Sequence, residues 1–150
     1  MATLKFSGGA KLQAVLQEIA EKSGSASSVD IGFMEGSTYP DGTSVPMVAA
    51  IQNFGAPAAG IPPRPFFSSM VKDKSPEWGE KMGDILIQSG YDANQTLGVM
   101  GEGIKGQIQQ SITDMNDPPL ADATVAAKGF AKPLIDTGHM QNSVDYEVNK

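Results

Sequence analysis

The chain has 150 residues, 40% of them hydrophobic, with 11 Lys and Arg against 17 Asp and Glu for a formal charge of −6. That length suits one domain, able to bury roughly two thirds of its unfolded surface without disulfide or metal. The charge argues against a general nucleic-acid binder, because the overall field repels phosphate, and the absence of cysteine excludes a thiol nucleophile, a thiolate zinc site and a disulfide scaffold.

The opening Met1-Ala-Thr-Leu-Lys-Phe-Ser-Gly-Gly9 has no apolar core of signal-peptide length. No run reaches the roughly 18 apolar residues of a membrane span, so a soluble protein made inside a cell is expected. Leu12, Val15, Leu16 and Ile19 then fall at i, i+3, i+4 and i+7, which predicts an amphipathic helix from about Gly9 to Lys22, stopped by Ser23-Gly24. Val29, Ile31 and Phe33 alternate with Asp30, Gly32 and Met34, the period-two pattern of a strand with one buried face, ending at Glu35-Gly36.

Tyr39-Pro-Asp-Gly42 predicts a turn, since proline presets one central dihedral and Asp-Gly tolerates the next. Thr43 or Ser44 can cap a second helix with Pro46 in its first turn and Met47, Val48, Ile51 and Phe54 as its apolar side, before Gly55 ends it. Pro57, Pro62, Pro63 and Pro65 stiffen the loop that follows and remove amide donors, as in a loop built to be held against something.

Ser75-Pro-Glu77 reads as N-cap, first helical position and acidic first turn of a third helix carrying Trp78, Met82, Ile85 and Leu86 on one side. From about Asp92 a fourth helix places Leu97, Ile104, Ile108, Ile112 and Met115 on one stripe until Asp117-Pro-Pro119. Its Gly98, Gly101, Gly103 and Gly106 each cost up to ~1 kcal/mol relative to Ala, so packing must stabilise it or it must break locally. Residues 117–133 predict a long loop with a helical turn at Ala121–Lys128. Val144, Tyr146 and Val148 then alternate with polar neighbours in a second strand, antiparallel to the first.

Little here spells chemistry. Gly101-Glu-Gly-Ile-Lys-Gly106 matches G-x-G-x-x-G by letters, but no buried strand precedes it, and close packing is the better account of its glycines. His139 is the only histidine, so multi-histidine metal sites are excluded, and with no G-x-S-x-G elbow it reads as a surface or capping residue. Glu35, Asp41, Asp84 and Asp136 read as solvated carboxylates before they read as a hydrolytic pair. Asp136-Thr-Gly138 reads as helix-start capping, with Met140 as core.

Arg64, the only arginine, stands in Pro62-Pro-Arg-Pro65, where a fixed loop can offer its fork to a carboxylate or backbone carbonyl of a neighbour. Of Phe66 and Phe67, one ring is expected inward and one available for contact.

Four blocks in order carry a resemblance: Val29-Asp-Ile-Gly-Phe33, Ala49-Ala-Ile-Gln-Asn-Phe-Gly55, Ile61-Pro-Pro-Arg-Pro-Phe66, and Pro133-Leu-Ile-Asp-Thr-Gly138 leading to Asn142-Ser-Val144. Spanning about residues 29–148, the chain resembles the minor tail-component, tail-completion and neck proteins of long-tailed bacteriophages. Gln52 departs from the acid that often stands there in that family.

The resemblance implies a structural virion protein at the head–tail junction, made in the host cytoplasm, with no catalytic residue, cofactor or metal. Its partners would be copies of itself in a sixfold or twelvefold ring. Head-closure or connector, tail terminator, tail tube or sheath proteins would adjoin it, with DNA passing nearby but no sequence-specific nucleic acid and no membrane.

The expected fold is a single α+β domain: a short antiparallel sheet packed against several helices, with long Pro/Gly-rich loops. Candidate contact residues are Phe54, Ile61, Pro62, Pro63, Arg64, Pro65, Phe66, Phe67, Leu134, Ile135, Asp136 and His139. Heterologous ring interfaces suit extended loops that reach a neighbour. The alternatives are a tail terminator capping the tail tube and, ranked below it, a virion-associated cell-wall hydrolase or a DNA-binding maturation factor.

Overall fold

A computed structural model describes residues 8–150, so the reading of Met1–Ser7 lies outside the described residues. The architecture is α+β, with helices around one two-stranded antiparallel sheet. Helix α1 spans Gly9–Ser23 and strand β1 Ser28–Phe33. Helix α2 is Val45–Phe54, α3 Phe66–Gln88 and α4 Ala93–Asp114. Helices α5 (Asp122–Lys128) and α6 (His139–Asn142) precede strand β2 (Val144–Asn149). No helix of the described residues is long and apolar enough to cross a membrane.

The turn chemistry acts as expected. Gly42 N–H donates to Tyr39 O at 2.9 Å, and the Asp41 carboxylate accepts from Thr43 N–H at 2.9 Å. Ser44 Oγ caps α2 by accepting from Met47 N–H at 3.3 Å. Gly55 ends that helix at φ +78, where an added Cβ would sit 2.8 Å from the Pro63 nitrogen, so the close passage of the proline loop requires glycine.

Three expectations are corrected. Helix α3 does not begin at Ser75-Pro76; it starts at Phe66 and passes through Pro76 without a break. Burial of Phe66 and Met70 at its first turns outweighs the local signal of a serine and a proline on an exposed surface. In α2 the core-facing side is Val45, Ala49 and Asn53, at i, i+4 and i+8, while Met47 and Phe54 face solvent. The glycine-bearing α4 is continuous, and of its glycines only Gly101 meets a close neighbour, which is the ring of Tyr146 on β2 and not another helix.

Ile108 and Ile112 of α4, Phe66 of α3, Val45 of α2 and Val144 of β2 are the largest fully buried side chains. Met70, Met100, Ile104, Leu134 and Met140 extend this core, and each large side chain so buried contributes about 1.5–3 kcal/mol. The sheet lies against α4, and its register pairs Val29 with Val148, Ile31 with Tyr146 and Phe33 with Val144. Ile31 and Phe33 pack on the core from that sheet. Segment 117–138 is held by Lys128, whose ammonium donates to Lys132 O at 2.9 Å and Ile135 O at 2.6 Å.

Candidate functional site

The corner between the proline loop and α3, and residues 134–140, lie on opposite sides of α2. On one side, Asn53 organises the corner between α2 and α3. Its Oδ1 accepts from Phe67 N–H and Ser68 N–H, both at 3.1 Å, and its Nδ2 donates to Ser68 Oγ at 2.6 Å. Helix α3 follows Pro65 and has no side-chain cap of its own, so this buried amide satisfies first-turn donors that would otherwise be orphaned.

Arg64 departs most from expectation. It is only 7% exposed, its backbone N–H donates to Gln52 O at 2.7 Å, and the backbone carbonyl its fork meets belongs to its own chain, with Nε donating to Pro118 O at 3.0 Å. Among the described residues no carboxylate forms an ion pair with it. The weak hydration of guanidinium makes arginine the cation best suited to such burial. Here it clasps the start of the 117–133 segment to the proline corner.

Beside this corner lies an apolar groove of about 290 Å³. Ile31 and Phe33 of β1, Ala50 and Phe54 of α2, and Phe67 of α3 line it, with Asn53 as its polar member. Phe66 turns inward, fully buried and edge-on to Phe33, with ring centroids 6.2 Å apart. Phe67 is half-buried along the groove, near Gly32. One ring is inside and one is left at the surface, as expected. Phe54 stands at the rim with 74% of its surface exposed.

On the other side of α2 a second groove, about 490 Å³, runs between the Tyr39 turn and residues 134–140. His139 spans it: its Nε2 lies 2.9 Å from Thr38 O, and its ring packs on Tyr39 at 4.9 Å between centroids. Burial, then the negative charges of Asp136 and Asp41, push the Tyr39 phenol above its ordinary value. The Asp41 carboxyl is held below its ordinary value, first by the backbone of Thr43 and then by its side chain. The N-cap of α6 is Gly138, which has no side chain to cap with, so the capping expected of Asp136-Thr-Gly138 is reduced to a 3.4 Å hydrogen bond from His139 N–H to Thr137 Oγ1.

Compared with known proteins, the chain matches no family model, no curated protein and no solved structure.

The candidate contact residues divide three ways. Phe54, Pro62, Pro63, Pro65 and Asp136 are exposed, and Ile61, Phe67, Ile135 and His139 are half-buried. Arg64, Phe66 and Leu134 are buried and support the surface from below, a second correction to the expected set. Sequence reasoning missed Asn53 and Tyr39. Asn53 had a signal: it continues the i, i+4 series of Val45 and Ala49 into a position where a polar side chain needs a partner.

Among the described residues no three His, Asp or Glu side chains converge closely enough to hold a metal ion. What the first groove offers is apolar area edged by aromatic side chains, the composition of the centre of a protein–protein contact, whereas the second is more polar, with Asp41, Asp136 and His139 in its lining.

Proposed function

We propose that this chain is a structural virion protein of the bacteriophage head–tail junction, a neck or tail-completion protein that assembles with copies of itself in a ring and joins head to tail. The observation that carries the reading is the apolar groove under Phe54, formed where three of the four resemblance blocks meet: β1, the end of α2, and the proline loop into α3. Aromatic side chains left at the surface around a concave apolar floor favour docking of another protein. Identical subunits close a ring when one surface of each fits a different surface of the next. The stiff loop of residues 56–63 supplies the second surface, held by the bridge between Ala56 and Ile61.

Light-scattering mass of the purified chain, alone and mixed with head or tail components, tests this. A ring-sized particle is expected, reduced to smaller species by Phe54→Asp, which alters an exposed side chain and leaves the core intact. A wild-type monomer under all those conditions would overturn the reading. So would substrate turnover by the isolated chain, lost on changing one polar side chain.

A further inference from the structure

Helix α1 buries none of its residues. Its apolar stripe faces water, with Leu12 62%, Val15 51% and Leu16 57% exposed. Among the described residues it is tied down at its C-terminal end, where Ile19 is half-buried, Ser23 Oγ donates to Tyr91 O at 3.3 Å and, just past the helix, Ser25 Oγ accepts from Asn94 N–H at 3.0 Å. A helix of this length is marginal in water unless its apolar face is covered.

We infer that α1 pairs antiparallel with α1 of a second copy of this chain, through the stripe of Leu12, Val15 and Leu16. Charge decides both occupant and direction. Lys11 and Glu18 stand at i and i+7, on the same flank of the stripe, with opposite charges. In an antiparallel pair like flanks meet. The register that sets Leu12 against Val15 of the second copy brings Lys11 to Glu18 of that copy, and by the twofold Glu18 to its Lys11. A parallel pair would set Lys11 against Leu16 and Glu18 against Ser23 of the other copy, and gain no ion pair. Glu18 meets Lys22 within its own helix at 2.7 Å, while Lys11 has no ion-pair partner among the described residues. The contact is only about 22 Å long for a helix of this size, which belongs to the class of small, reversible interfaces. It is isologous and does not rest on the ring proposed above.

Sedimentation equilibrium of the whole chain over a range of concentrations tests the inference, with circular dichroism to establish that each variant is folded. Wild type is expected to associate reversibly, and Leu12→Glu with Leu16→Glu to abolish that step. Lys11→Glu alone should weaken association several-fold, and adding Glu18→Lys should restore it. Since the chain has no cysteine, Lys11→Cys with Glu18→Cys gives a second readout. The two positions are about 10 Å apart along one helix, too far for an internal disulfide, so oxidation should yield a dimer linked from 11 to 18. A wild-type mass that does not change with concentration would overturn the inference. A ring-sized mass unaltered by the Leu12 and Leu16 changes would also overturn it while leaving the ring reading intact, and an oxidised chain with no 11-to-18 link would overturn the antiparallel register.

Discussion

Gly101 shows why glycine content alone says little about a helix. Its backbone meets the ring of Tyr146 across the α4–β2 contact, where an added Cβ would lie 2.6 Å from the ring's Cγ. Gly98, Gly103 and Gly106 on the same helix meet nothing within 4 Å. Gly101→Ala should therefore lose about 1–3 kcal/mol by overpacking, read as a lower urea midpoint. Gly103→Ala should instead gain by helix propensity, by roughly 0.5–1 kcal/mol. The letters revealed that some close approach was needed; only the position of Tyr146 selects the glycine. Arg64 teaches the same lesson, since a lone arginine among prolines reads equally well as a hook for a neighbour and as an internal clasp. Asn53→Ala should cost about 1–3 kcal/mol, because it strands the amides of Phe67 and Ser68.

Asp145 adds a pH dependence. The Tyr146 backbone N–H and then Lys105 hold its carboxyl below the ordinary value. A group depressed by folding stabilises the native state above its unfolded pKa, and that contribution disappears as pH falls through the folded pKa. Asp145→Asn should accordingly flatten the acid limb of a stability–pH curve, an effect kept small by the exposure of the pair.

Among elements, α1, β1, α4 and β2 were legible because each carries an uninterrupted period of 3.6 or 2. Helix α3 was misread at its start because Ser75-Pro-Glu77 imitates a helix opening in the middle of one. Pro76 leaves the Lys72 carbonyl without its usual donor, so Pro76→Ala should raise stability by about 1–3 kcal/mol, measured by thermal or chemical unfolding. Helix α2 was placed correctly, but its face was only partly read. Its burial is set by Val45, Ala49 and a polar Asn53; of the expected apolar side Val48 packs on the core, while Met47 and Phe54 are exposed. Periodicity finds a helix; it does not say which of two plausible faces meets the core when the exposed one is also apolar. That ambiguity is itself informative, because a helix apolar on both sides has surface left over for a partner.

For the molecule as a whole, the sequence was a sound guide to fold class and a poor one to side-chain depth. The predicted contact set included residues that form the floor and the supports of the grooves as well as their rims, because sequence reports proximity to a motif and not depth within it. Phe66 and Leu134 lie in the core, while Pro65 and Asp136 reach solvent from the same two blocks. The overall charge of −6 leads to a further expectation: the purified chain should give no electrophoretic shift of DNA even at low ionic strength.

The sheet joins β1, near the beginning of the described residues, to β2, near their end, and among those residues β1 has no other strand beside it. During synthesis, β1 must wait for everything through α6 before its hydrogen-bonding neighbour leaves the ribosome. Nascent chains halted before Val144 should thus remain protease-sensitive and chaperone-bound, and the native fold should arise only once translation has passed that residue.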